Sequence, residues 1–142
     1  MNEKLKCIMC VDDEKDVLDI LKMCLETAAD FEVICCESGE ETLACMEKID
    51  PDLILLDVMM PDMDGPSTLK AIRQNPAQND VPVVFLTARV QSTEIEQYLQ
   101  MGASSVISKP FNPMTLSTKI AEIYETFHEK HPPNTQKNLQ RR

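Results

Sequence analysis

A doubly wound α/β fold, with a parallel sheet of five strands covered by helices on both faces, is predicted by three observations. Short apolar runs alternate with amphipathic stretches along the chain. The runs are continuously apolar rather than alternating, the pattern of strands buried on both faces. The connections between them are short, and no internal repeat is evident.

The strand-like runs are Leu5–Val11, Phe31–Cys36, Leu53–Asp57, Val83–Thr87 and Ser105–Ser108. Between them lie helical stripes. Val17, Ile20, Leu21, Cys24 and Leu25 form the first, and Leu43, Met46 and Ile49 the second. Leu69, Ile72 and the stem of Arg73 form the third, and Ile95, Tyr98 and Leu99 the fourth. The fifth, through Leu116, Ile120, Ile123, Tyr124 and Phe127, is the longest. Start signals agree: Ser38 with Glu41 three residues on reads as a cap, Pro66 suits a first turn, and Asn112-Pro113 opens the fifth helix.

The chain of 142 residues reads as one domain over residues 4–127, followed by a polar basic tail or truncated linker at 128–142. The net charge is −10 and the pI about 4.6, which argues against unaided binding to nucleic acid or an anionic membrane. Residues 128–142 hold four Lys/Arg and one Glu, so the tail is +3 and residues 1–127 carry −13. Apolar runs fall far short of the ~20 residues of a membrane span. Met1-Asn2-Glu3-Lys4 leads straight into a charged, strand-like segment with no signal-peptide apolar region, so a cytoplasmic location is expected.

Six cysteines raise the question of metal or disulfides. Cys7 and Cys10 have CxxC spacing, but on a strand positions three apart point to opposite faces. Cys35 and Cys36 are adjacent and diverge for the same reason, while Cys24 and Cys45 lie alone in helical patterns. Cysteine as a small buried apolar residue is the expectation.

The chemistry gathers where strands stop. Asp12-Asp13 follow the first strand, Asp57 ends the third, Thr87 the fourth, and Lys109-Pro110-Phe111 follow the fifth. In a parallel sheet that edge is where ligands bind. Each piece alone has a plainer reading as a helix cap, a turn residue or a solvated lysine; the order and spacing of the whole set carry the functional one. Two like charges about 4 Å apart repel by roughly 4 kcal/mol at an effective dielectric of 20, so three converging carboxylates need cations. Lys109 supplies one, and a divalent metal is the natural second. Oxygen-only ligation suits Mg²⁺. Such a site beside a hydroxyl and an ammonium is arranged for phosphoryl transfer, with Asp57 as the nucleophile that forms an acyl phosphate and with Thr87 and Lys109 on the phosphoryl oxygens. Only three glycines are present, with no P-loop or GxGxxG, which disfavours nucleotide binding.

With Asp12-Asp13, Asp57 and the downstream Met60-Pro61-Asp62-Met63-Asp64-Gly65, Thr87-Ala88 and Lys109-Pro110-Phe111, the sequence closely resembles the receiver domains of two-component response regulators over about residues 4–127. The resemblance implies a flavodoxin-like sheet of order 2-1-3-4-5. It implies that Asp57 takes a phosphoryl group from a histidine kinase or phosphotransfer protein. Asp13, Asp57 and the Met59 carbonyl would ligate Mg²⁺, and Asp12 would act through metal-bound water. Thr87 and Lys109 would contact the phosphoryl oxygens, with Lys109-Pro110 cis. A protein target would dock on the surface of helix 4, strand 5 and helix 5, including Tyr98, Gln100, Val106 and Lys119. The only enzymatic chemistry implied is self-catalysed phosphorylation and dephosphorylation.

One departure matters: the family usually has Tyr or Phe two residues before the Ser-Lys pair of the fifth strand, and this chain has Val106. Valine cannot supply a ring that swings inward; Tyr98 is the candidate substitute. Met59 and Arg89 border the site by resemblance, at positions that tune loss of the phosphoryl group to water. Two other classes compete. One is a phosphorylation-independent interaction module on the same fold, favoured by Val106. The other is a Mg²⁺-dependent phosphatase, which would need an acid two residues after the nucleophile, where Met59 stands.

Overall fold

The computed structural model describes residues 5–29, 31–88 and 91–130. Five strands alternate with five helices: β1 (Cys7–Val11), α1 (Lys15–Ala29), β2 (Glu32–Cys36), α2 (Gly39–Met46), β3 (Leu53–Asp57), α3 (Gly65–Gln74), β4 (Val83–Thr87), α4 (Ser92–Gln100), β5 (Ser105–Ser108) and α5 (Leu116–Lys130). All pairings are parallel and the strand order is β2-β1-β3-β4-β5, as expected from the sequence.

Strands β3, β4 and β5 have the predicted bounds. β1 begins later than Leu5 because the Asp52 carboxylate takes the amides of Lys6 and Cys7 at 3.0 and 2.8 Å, in place of a ladder partner. In β1, β3 and β4 successive residues enter opposite layers. Ile54 and Leu56 join one core with Met46 of α2, Leu69 and Ile72 of α3 and Tyr98 of α4. Leu53 and Leu55 join the other with Leu18, Leu21 and Leu25 of α1 and Leu116, Ile120 and Tyr124 of α5. This two-sided burial is why the strands read as unbroken apolar runs.

The helices show where stripe reading fails. In α1 the buried row is Leu18, Leu21 and Leu25; Ile20 lies 43% exposed. In α4 only Tyr98 is buried, and Leu99 is 44% exposed. Tyr98 therefore belongs to the core and not to the α4–β5–α5 surface, while Gln100 and Lys119 are exposed and Val106 is half-buried. α5 begins at Leu116: the Asn112 carboxamide oxygen accepts from the Met114 amide at 2.9 Å, holding a turn ahead of the helix. It continues through Lys130, past residue 127. The Ser38 cap is present, with its hydroxyl accepting from the Glu41 amide at 3.0 Å, and Pro66 sits in the first turn of α3. All six cysteines are free thiols, with Cys10 and Cys36 buried and Cys35 exposed.

The sheet order reverses between β1 and β3: β1 crosses over to β2 through α1 and β3 to β4 through α3, on opposite faces. The loops leaving these two strands part at that point, and a crevice opens at their C-terminal ends.

Candidate functional site

Three strand ends build the site in that crevice. Asp12 follows β1 directly and is fully buried; one of its oxygens accepts from the Glu14 amide at 2.9 Å, which fixes the carboxylate at the head of α1. Asp57 closes β3 and is 4% exposed. Lys109 leaves the end of β5, where its amide donates to the Thr87 carbonyl at 2.9 Å, and the peptide bond to Pro110 is cis. Its ammonium donates to Asp12 Oδ2 at 2.7 Å and to Asp57 Oδ1 at 3.0 Å. Asp13 completes the group from an exposed position, and Asp12, Asp13 and Asp57 each offer an oxygen within 4.8 Å of the others.

Three carboxylates against one ammonium leave a charge of −2 on the cluster. Burial and these charges pull against one another. Burial pushes the Asp57 carboxyl up; the Lys109 hydrogen bond pulls it down, and the charges of Asp12 and Asp13 push it up again, for a net upward shift. Burial lowers Lys109, but its hydrogen bonds to Asp12 and Asp57 outweigh that and raise it overall. A carboxylate held above its ordinary range, beside two others, is a site that gains from a further cation. The all-oxygen donor set, closed by Lys109 on one side and open through Asp13 on the other, fits a hard divalent ion that keeps waters.

The loop after Asp57 bends back over it. Gly65 donates its amide to the Val58 carbonyl at 2.9 Å, and a Cβ at Gly65 would stand 2.6 Å from the Asp57 carbonyl oxygen and 2.8 Å from the Val58 Cα. The Asp64 carboxylate then caps α3 by accepting from the Ser67 amide at 2.8 Å. Both contacts escaped the sequence reading; the Asp-x-Asp-Gly-Pro order ahead of a helix was the available signal.

A profile of the response regulator receiver domain matches residues 8–121. The chain belongs to that family. It is 34% identical over 138 residues to the alkaline phosphatase synthesis transcriptional regulatory protein PhoP of Bacillus subtilis (strain 168), covering 97% of this chain and 55% of that protein. It is 39% identical over 121 residues to the transcriptional regulatory protein CpxR of Escherichia coli (strain K12), covering 85% of this chain and 50% of that protein. The chain thus spans about half the length of the curated relatives it matches. Among solved structures, the chemotaxis protein CheY4 of Vibrio cholerae superposes with a TM-score of 0.78 at 30% identity, covering 84% of this chain and 99% of that one.

In this receiver the structure brings Asp12, Asp13, Asp57 and Lys109 together, and sets Thr87, 2% exposed, at the same sheet edge. Met59 lies in the loop after β3 with its side chain 67% exposed. Arg89 lies outside the described residues. Val106 pairs in register with Phe85 and packs against the core layer that holds Tyr98. A cleft of about 770 Å³ opens elsewhere, lined by Arg73, Ser105, Glu122 and Phe127 among others, and Asp12, Asp13 and Asp57 do not border it. Among the described residues no helix is long and apolar enough to cross a membrane.

Proposed function

We propose that this receiver is a Mg²⁺-dependent phosphoacceptor in which Asp57 takes the phosphoryl group from a phosphohistidine of a histidine kinase or phosphotransfer protein. The observation that carries the reading is the Lys109 ammonium, shared at 2.7 and 3.0 Å between buried Asp12 and Asp57 with Asp13 alongside. An Asp57 oxygen attacks phosphorus in line, the P–N bond to the imidazole breaks, and the ring leaves with a proton. Lys109 then turns from the carboxylate it has neutralised to the phosphoryl oxygens, and Thr87 adds a hydrogen bond. Asp13, Asp57 and the Met59 carbonyl would hold the magnesium, with Asp12 acting through its water; when bound, the ion neutralises charge on the transferring group. Water attack on the acyl phosphate releases inorganic phosphate and restores Asp57.

The phosphoacceptor unit is residues 4–127, working in the cytoplasm, and its output is a changed protein-binding surface along α4, β5 and α5. The −13 charge of residues 1–127 supports a protein target rather than nucleic acid. Intact-mass analysis after treatment with acetyl phosphate and Mg²⁺ tests the chemistry. The wild type is expected to gain one phosphoryl increment, and none when a chelator is present throughout. An Asp57→Ala protein that gains the same increment would overturn the assignment.

A further inference from the structure

We infer that Tyr98 is the positioning residue through which the state of the Asp57 site reaches helix α4, by way of Phe85 and Thr87 on β4. The inference rests on the phosphoacceptor reading. It starts from how little holds α4. Helix α1 buries Leu18, Leu21 and Leu25, α3 buries four residues and α5 three, whereas α4 buries Tyr98 alone. Gln91 at its N-terminus makes no side-chain capping bond. Its C-terminal end is pinned: Ala103 is buried, and the Arg73 guanidinium donates to the Gly102 carbonyl at 2.8 Å. A helix fixed at one end, with one buried side chain and only Glu94 and Ile95 half-buried beside it, is the element of this fold with the most freedom to pivot.

That one side chain rests on the strand that ends in Thr87. The Tyr98 ring stands edge-on to Phe85 with centroids 5.1 Å apart and planes at 73°. Phe85 and Thr87 are two apart in β4 and share a face of the sheet. Across the ladder Phe85 pairs with Val106, and the Thr87 carbonyl accepts from the Lys109 amide. With valine at 106, the ring packed over β4 comes from the helix and not from strand β5. A displacement of the end of β4 toward a phosphoryl group on Asp57 therefore passes through Phe85 to the only buried anchor of α4.

The chain has two tyrosines, Tyr98 and Tyr124, so Tyr124→Phe leaves Tyr98 as a single probe. We would label that protein with 3-fluorotyrosine and record fluorine spectra with Mg²⁺, before and after adding beryllofluoride, whose bound fluorides report separately on occupancy of the Asp57 site. The expected result is a shifted Tyr98 resonance once the bound-fluoride signal appears. Hydrogen exchange over residues 92–100 then separates coupling from packing. Beryllofluoride should change exchange there in the wild type and in Tyr98→Phe, and the change should be lost in Tyr98→Leu that still shows bound fluoride. If Tyr98→Leu does not fold, Phe85→Leu takes its place with the same expectation. Bound fluoride with an unmoved Tyr98 resonance, or an undiminished α4 response in the leucine variants, overturns the inference. Absence of bound fluoride in the Tyr124→Phe protein overturns the phosphoacceptor reading, and this one with it.

Discussion

Replacing Lys109 by Met tests the electrostatic core of the site in the absence of any phosphoryl donor. The ammonium bridges two carboxylates that are 0% and 4% exposed. Without it, Asp12 and Asp57 face one another with Asp13 close by, their ligand oxygens within 4.8 Å. At that separation a like-charge pair costs about 3.5 kcal/mol at an effective dielectric of 20. Removing one partner of a buried ion pair typically costs about 3–5 kcal/mol. Rearrangement and solvent access through exposed Asp13 reduce the cost, and a loss of about 2–4 kcal/mol near neutral pH is expected.

Charge repulsion has a signature that lost packing lacks. Asp57 is already raised by burial and by Asp12 and Asp13, and Lys109 is the influence that lowers it. In Lys109→Met its pKa therefore rises further. A carboxyl whose folded pKa lies above its unfolded value favours folding when protonated; that contribution is full below the unfolded pKa and disappears as pH rises through the folded one. The deficit of the variant should shrink in mild acid, and also with Mg²⁺ at neutral pH. Urea unfolding of both proteins under three conditions (neutral with chelator, neutral with Mg²⁺, mildly acidic with chelator) measures it. An equal deficit in all three would show that the methionine had merely packed badly, and the electrostatic reasoning would fail.

Asp57→Asn removes two repulsions, with Asp12 and Asp13, against one attraction to Lys109, so the metal-free protein should gain on the order of 1 kcal/mol in urea unfolding and lose the stabilisation that Mg²⁺ gives the wild type. Because Asp57 is raised and the metal requires it ionised, Mg²⁺ affinity measured by calorimetry should fall with acidification at a higher pH than an ordinary carboxylate predicts; no pH dependence above the usual carboxylate range would contradict this. Gly65→Ala places a methyl 2.6 Å from the Asp57 carbonyl oxygen, where both nearby atoms are backbone; a loss of about 1–3 kcal/mol is expected, with slower phosphorylation from acetyl phosphate. Met59 is 67% exposed at the rim and is expected to shield the acyl phosphate from water, so Met59→Asn should shed its phosphoryl group several-fold faster in a decay assay, and an unchanged rate would remove Met59 from that role.

The sheet and its acidic edge were legible because two strong constraints coincide there. Strands buried on both faces must be continuously apolar, so Leu53-Ile54-Leu55-Leu56 and Val83-Val84-Phe85-Leu86 announce themselves, and the polar residue that ends each run marks the edge. Helices carry a weaker signal. The stripe on α1 takes in Ile20, yet Leu18 is the residue buried with Leu21 and Leu25, because i, i+3 and i+7 rows fit either choice and packing on the sheet decides. Tyr98 fits both the apolar stripe with Ile95 and Leu99 and the docking surface, because an amphipathic ring suits either place; its edge-on packing on Phe85 of another element decides between them. Arg73 signals only the place of its stem in the third stripe, not the partners of its guanidinium. Its guanidinium donates to the carbonyls of Asn79, Val81 and Gly102, and backbone carbonyls have no residue type to read.

If Asp57 is the phosphoacceptor as proposed, Lys109 cannot operate the switch alone. Phosphorylation exchanges the single charge of Asp57 for roughly two negative charges on the phosphoryl group, and one added unit charge about 4 Å from the ammonium is worth roughly 4 kcal/mol at an effective dielectric of 20. Turning a 1:99 equilibrium into 99:1 takes roughly 5.5 kcal/mol of differential stabilisation. A hydrogen bond to a charged group adds about 1.5–3 kcal/mol and closes the gap. Thr87 is the proposed supplier: it ends β4, its carbonyl accepts from the Lys109 amide, and its strand carries Phe85 against Tyr98. Thr87→Val should therefore still accept the phosphoryl group in the mass assay. Its equilibrium between the two α4 states, read from hydrogen exchange with beryllofluoride bound, should fall by roughly tenfold or more. A valine variant that switches as fully as the wild type would mean that the ammonium supplies the whole difference and that the path through β4 carries nothing.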